Sequence, residues 1–342
     1  MTTHQEKNAA RAPVYIRWGL IAITAAVALL APLFLQNYWL HVVIIAYYFA
    51  LLASSWALLA GVAGQFSFGH LAFVAIGGYT SGLLGRYLDT PPAIGIIAGI
   101  LMAGLSGLVI ALLVLRFKAA YLALFTIAFS EILRIIIKGE ATITRGDQGL
   151  AVAPLLGEDI ISRVPYYYIM LGVLVVSLMF MYWLVNSRIG LFLRAIREDE
   201  TAASARGVDV VRYKILAFVI TSMLAGLAGV FFAHYVNILS PNMLVLPQMG
   251  LVIAMAIIGG VESLLAAALG GIIIQISLEW LRDFDTWRLV IFGLLLMLTL
   301  RFARNGLLAP LLQWLSGSAP RAEFREDASQ EGIRADGQEV EA

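Results

Sequence analysis

Long apolar stretches alternate with short polar interruptions along nearly the whole chain. A membrane-spanning helix needs about 20 mainly apolar residues, because the hydrocarbon core is roughly 30 Å thick. Ten stretches approach that requirement: 18–35, 41–60, 67–85, 93–115, 119–137, 166–185, 213–235, 248–261, 264–281 and 289–300. The pattern predicts an all-α, polytopic integral membrane protein of about ten transmembrane helices. Residues 1–17 read as a polar N-terminal segment that is retained, since no small-residue cleavage site follows a short apolar core. Residues 18–302 form the membrane domain. Residues 303–342 form a tail that turns polar and acidic beyond 316, where disorder is expected. Two stretches depart from the rule. Residues 248–261 number only 14 and end on Gly259 and Gly260, so a half-helix or re-entrant element is expected there. The glycine-rich run 61–78 is also a candidate for unwinding. AFVAIGG (72–78) and AMAIIGG (254–260) read as a weak internal repeat.

The longest interior polar interruption, 186–212, carries Arg188, Arg194, Arg197, Arg206 and Arg212. Positive charge concentrates on cytoplasmic loops. Ten crossings with both termini inside put 16 of the 23 Lys and Arg on that side, which fixes the expected orientation. Read as one helix, this loop places Phe192, Ile196, Ala203 and Gly207 on a small or apolar strip suited to docking, with Arg194 and Glu198 paired four residues apart. Composition agrees with the membrane reading. The chain is 61% hydrophobic and 13% charged, and a soluble globule of 342 residues has no interior large enough for that much apolar surface. The net charge of +1 implies no nucleic-acid partner, and the lack of cysteine excludes disulfides and thiol chemistry.

Charges inside apolar stretches cost about 2.5–3.5 kcal/mol each and need a reason. Glu131 and Arg134 are spaced as an ion pair, structural first and pathway-related second. Glu279 and Arg282 are spaced alike near a helix end. Glu262 reads as a solvated turn, and His234 as an interface anchor. Gln65, Ser67 and His70 lie in the run GQFSFGH, where they either satisfy the backbone of a broken helix or line a pathway, as Glu131, Gly259 and Gly260 also could. Small residues at four-residue spacing (Gly95, Gly99, Ala103 and Gly107; Ala225 and Gly229; Ala266 and Gly270) read as helix contacts. The sequence has no G-x-x-x-x-G-K-[ST] and no H-E-x-x-H, and its histidines are scattered, so neither nucleotide binding by a P-loop nor a metal site is expected.

The segment SRIGLFLRAIREDETAASARGVDVVRYKILAF resembles the cytoplasmic segment of the branched-chain amino acid ABC permeases, in particular their LivM-like branch. Glu200, Ala202, Ala203 and Gly207 match the family's E-x-A-A-x-x-x-G loop. Three more stretches agree in order: GVAGQFSFGHLAFVAIGGYTSGLL, AAYLALFTIAFSEILRIIIKGEATITRGDQGL and AGLAGVFFAHYVNILSP. The resemblance implies an inner-membrane importer subunit with no cofactor of its own. Its partners would be a second homologous permease, two cytoplasmic ATPases that bind ATP and Mg, an extracytoplasmic solute-binding protein, and lipid. It also implies an ATPase-coupling helix containing Arg194, Arg197, Glu200, Ala202, Ala203 and Gly207. The loop 138–165 is similar to the family's TGG-x-x-GL stretch, with Arg145 in place of the first glycine. Its Thr144, Arg145, Gly146 and Asp147 would meet the solute-binding protein. Branched-chain amino acids are the implied cargo, with urea, amides or aromatic acids as alternatives within the family. An ion-coupled secondary transporter using Glu131 is the rival outside it.

Overall fold

The computed structural model describes residues 14–114, 119–157, 162–284, 287–302 and 306–308. Its helices are α1 (Val14–Phe34), α2 (Asn37–Ala57), α3 (His70–Leu88), α4 (Pro92–Val114), α5 (Ala119–Gly139), α6 (Val164–Asn186), α7 (Arg188–Glu198), α8 (Glu200–Ala205), α9 (Val210–Val236), α10 (Leu246–Gly259), α11 (Leu264–Trp280) and α12 (Trp287–Phe302). Each of the ten apolar stretches contains a helix. Among the described residues, four elements are long and apolar enough to cross a membrane: α2 with its continuation to Val62, α4, α6 and α9. At 14, 17 and 16 residues, α10, α11 and α12 are shorter, so helix length does not by itself carry ten crossings. The expected N-terminal segment and the tail lie almost wholly outside the described residues.

The centre of the bundle is α2, whose flanks are buried against α11, α6, α9 and α10. Beside it α3, α4 and α9 form a tight trio. With little hydrophobic drive between helices in lipid, close backbone approach has to supply the attraction. A Cβ on Gly77 would fall 2.7 Å from Gly226 Cα, and Gly99 and Gly107 abut Gly77 and Ser222. The predicted small-residue stripes of α4 and α9 are thus contacts within this chain, and Gly270 likewise lies against Gly259. The two members of the weak repeat sit differently. Residues 72–78 are interior to α3, whereas 254–260 terminate α10.

Two departures from simple helices position the site. Before α3 the chain makes a π-helical turn, Leu58–Val62, then runs irregularly to Gly69. Helix α3 therefore begins at His70, three residues later than the apolar pattern suggests, after an irregular run that includes Gly64 at φ +69°. At the far end of the bundle a two-residue antiparallel pair interrupts the all-α picture, β1 (Leu150–Ala151) against β2 (Ile238–Leu239). Residues 306–308 return to α10. Leu307 N donates to Ile258 O at 2.8 Å and Leu308 N to Gly259 O at 3.2 Å, supplying partners for carbonyls at the helix end.

Candidate functional site: the α7–α8 joint

The predicted single loop helix is two short helices. Ser187 starts α7 by accepting from Ile189 N at 3.2 Å. At Asp199 the backbone becomes extended (φ −155°), and the side chain caps α8 by accepting from Thr201 N at 2.8 Å and Ala202 N at 3.0 Å. The other end closes in a Schellman motif: Gly207 N donates to Ser204 O at 2.9 Å and Val208 N to Ala203 O at 3.1 Å. Gly207 has φ +83°, the left-handed region that favours glycine. The motif E-x-A-A-x-x-x-G thus has a local meaning. Glu200 opens α8, Ala203 is its buried residue, and Gly207 stops it.

Most of the strip read as a docking face turns inward instead, and of its four residues Gly207 alone stays exposed. Leu193, Ile196 and Ala203 are buried, and Phe192 packs on Tyr213 with ring centroids 5.0 Å apart. A helix entering its own bundle must spend its apolar side there. The exposed surface is the opposite one, formed by Glu198, Glu200, Thr201, Ala202, Ser204, Ala205, Arg206 and Gly207.

The arginines also act differently from expectation. Arg194 does not pair with Glu198; it donates to Gly190 O at 3.2 Å and to Val185 O at 2.6 Å, which fastens α7 to the end of α6. Arg197 joins three elements. Its guanidinium donates to Gly61 O in the π turn and to Glu262 in the α10–α11 turn. Glu262 is therefore an ion-pair partner, not a solvated turn residue alone. Gly64 makes room for this arginine: a Cβ there would lie 3.1–3.3 Å from Arg197 Cγ, Cβ and Cα. Glu200 pairs with Lys214 at the start of α9, and Gln65 Nε2 donates to the Lys214 carbonyl at 3.1 Å. The arginine-rich loop, the GQFSFGH run and the α10 break therefore meet in one joint.

Within the irregular segment most polar groups satisfy backbone. Trp56 Nε1 donates to Ser67 O at 2.7 Å, Ser67 Oγ accepts from Gly69 N at 3.1 Å, and Phe68 N donates to Thr126 Oγ1 of α5 at 3.0 Å. His70 is the exception. It is fully buried, and although the Ser55 carbonyl lies nearby, neither ring nitrogen completes a hydrogen bond among the described residues. Gly259 is the last residue of α10, and Gly260 (φ +132°) makes the break against Gly306.

The opposite end of the bundle holds the loop after α5. Thr144 Oγ1 donates to Ile137 O at 2.7 Å, and Asp147 pairs with Lys138 at 3.0 Å. Gly146 (φ +49°) is buried against Lys138 O, while Arg145 is exposed with φ +64°. A glycine would hold the Arg145 conformation without strain, the preference seen in the stretch this loop resembles. His234 is no interface anchor. It is buried, donates from Nδ1 to Ala153 O at 2.7 Å, and receives the Ser81 hydroxyl on Nε2 at 2.7 Å. A cavity of about 810 Å³ opens beside it, lined by His41, Arg163, Tyr166, Tyr235 and residues 151–154. Mid-way along α5, Arg134 holds both Glu131 oxygens, at 2.9 and 2.5 Å. Glu279 and Arg282 pair at 3.1 Å and share Tyr38.

Residues 38–300 match the family described as branched-chain amino acid transport system / permease component. The chain belongs to that permease family. It is 31% identical over 296 residues to the LivM permease protein of the high-affinity branched-chain amino acid transport system of Escherichia coli, covering 77% of this chain and 68% of LivM. The LivH permease protein of the same organism is 26% identical, over 67% of this chain and 80% of LivH. The BraD permease protein of Pseudomonas aeruginosa is 24% identical, over 76% and 91%. No solved structure gives a significant match. The protein is accordingly a transport permease and an integral membrane protein.

Sequence reasoning missed parts of the permease's joint. Lys214 was not singled out, and Thr126 carried no signal because a threonine in a helix usually bonds its own backbone, as this one also does to Leu122 O. The residues lining the cavity are far apart in sequence. Only their shared position at helix ends, with His41 near the start of α2 and Tyr235 near the end of α9, could have grouped them.

Proposed function

We propose that the chain is one permease subunit of an ABC importer for branched-chain amino acids, coupled to its ATPases through the exposed face of α7–α8. The arginine-rich loop 186–212 faces the cytoplasm in this reading, with both termini on the same side. The observation that carries it is the joint itself. Arg197 ties α7 to Gly61 and Glu262, and Glu200 ties α8 to Lys214, whose carbonyl holds Gln65. A load on α8 is thereby passed to the π turn, the α10 break and the start of α9. Driving a transport cycle requires that the ATPases bind two permease conformations with different free energy, and this joint is where such a difference would enter. A second permease and a solute-binding protein complete the assembly, the latter meeting the end with Thr144–Asp147 and the cavity.

The test is co-purification and uptake. Ala202 is exposed, so Ala202→Asp should leave the fold intact while removing the ATPase from a tagged pull-down and abolishing ATP-dependent leucine uptake. Retained ATPase and normal uptake would refute the docking face. Purification without any ATPase, with transport driven by an ion gradient, would refute the importer reading.

A further inference from the structure

The exposed faces of the helices are not alike. On α4 the exposed side chains include Ile97, Leu101, Leu105, Val109 and Leu112, and on α6 Val175, Val176 and Met179; neither helix contains Asp, Glu, Lys, Arg or His. On α5 the buried side is Leu122, Thr126, Ser130 and Ile137, and the outward side runs Leu124, Ala128, Glu131, Ile132 and Ile135. Glu131 is twelve residues into α5 and eight from its end, about 18 and 12 Å along the axis. Its carboxylate side chain is 46% exposed and the Arg134 side chain 22%. Hydrocarbon against this face would leave an ion pair without water or further donors, at a cost of several kcal/mol.

We propose that this face of α5 is a wall of the water-filled translocation path and that Glu131 and Arg134 recognise a zwitterionic α-amino acid. Glu131 receives the α-ammonium and Arg134 the α-carboxylate. The pair suits that ligand because a zwitterion exchanges partners with it while net charge stays constant. A neutral amide or an aromatic acid anion leaves one member of the pair unmatched. Arg134 uses Nε and one terminal nitrogen on Glu131, and its planar fork matches a carboxylate equally well. The path is also linked to the joint, since Thr126 on the buried side of the same helix holds Phe68 N. This inference rests on the amino-acid permease reading above.

The chain has no cysteine, so single cysteines report cleanly. Ala128→Cys and Ile132→Cys on α5, with Leu105→Cys on α4 as the lipid-facing control, are assembled with the partner subunits in proteoliposomes. They are then treated with a charged, membrane-impermeant methanethiosulfonate on both sides. The α5 cysteines should react at least tenfold faster than the control, and leucine supplied with the solute-binding protein should slow them several-fold. In parallel, Glu131→Gln should raise the KM for leucine uptake about tenfold while the complex still assembles. Cysteines at 128 and 132 as inert as the one at 105 would mean that lipid or the second permease covers this face, and the proposal fails. Labelling without leucine protection, together with an unchanged KM in Glu131→Gln, would overturn the recognition role. Absence of ATP-dependent leucine uptake by the unsubstituted complex would instead refute the parent reading.

Discussion

Gly207 and Arg145 show how one backbone angle decides what a side chain at a position can do. Both have positive φ, but only one is glycine. At Gly207 a Cβ would meet nothing within 4 Å, so the cost of substitution is conformational, about 1 kcal/mol for alanine. Asparagine tolerates that region, so Gly207→Asn should keep ATPase co-purification and uptake close to normal, whereas Gly207→Asp adds charge at the docking surface and should lose both. Equal loss in the two variants would show that crowding at the turn matters and charge does not. Arg145→Gly relieves the corresponding strain. It should keep or slightly raise the unfolding midpoint of the detergent-solubilised protein, whereas a clear fall would show that the arginine side chain is needed for the fold. The sequence displayed both positions, one through the E-x-A-A-x-x-x-G match and the other as a departure from a glycine. It did not display the partners of Arg194, because an i, i+4 acid is the obvious candidate on a helix and the two carbonyls that win belong to the helix junction.

Among the elements, the joint is held by groups that few residues could replace. A guanidinium satisfies Gly61 O and Glu262 together through a planar fork, and a lysine ammonium is a single point of charge. The half-exposed ion pair alone contributes at most about 1 kcal/mol, while a charged donor to the Gly61 carbonyl contributes about 1.5–3 kcal/mol. Arg197→Ala should therefore lower the unfolding midpoint modestly and cut ATP-driven uptake more than tenfold while the ATPase still co-purifies, with Arg197→Lys intermediate. Wild-type uptake in Arg197→Ala would show that force does not pass through this contact. Helix positions were legible because apolar runs of this length have few alternatives, and the short α10 was legible from its length and the paired glycines Gly259 and Gly260. The split between α7 and α8 was not. Asp199 sits in a run of charges, REDE, that reads as continuous solvated helix until its carboxylate is seen capping the next one.

At the scale of the molecule, packing follows the small-residue stripes, and the two ends are built differently. One end gathers the arginine-bearing joint; the other has the β1–β2 pair, a cavity and the buried His234. Which stripes were internal was beyond the sequence, since glycine spacing alone does not name the helix it meets. The return of residues 306–308 to α10 has a mechanical consequence. Phe302 ends α12, and four residues later Gly306 lies against Gly260, so the leash between them spans at most about 14 Å. The ends of α10 and α12 therefore cannot separate far. Any tilt of the short α10 drags α12 along, and α12 sets how wide that tilt can become. A chain stopped after Phe302 would lose this stop and the donors to Ile258 and Gly259, and should show faster thermal inactivation and uncoupled ATP hydrolysis. A chain stopped after Leu308 keeps the leash and should behave as the full chain does; equal behaviour of the two truncations would remove the leash from the mechanism.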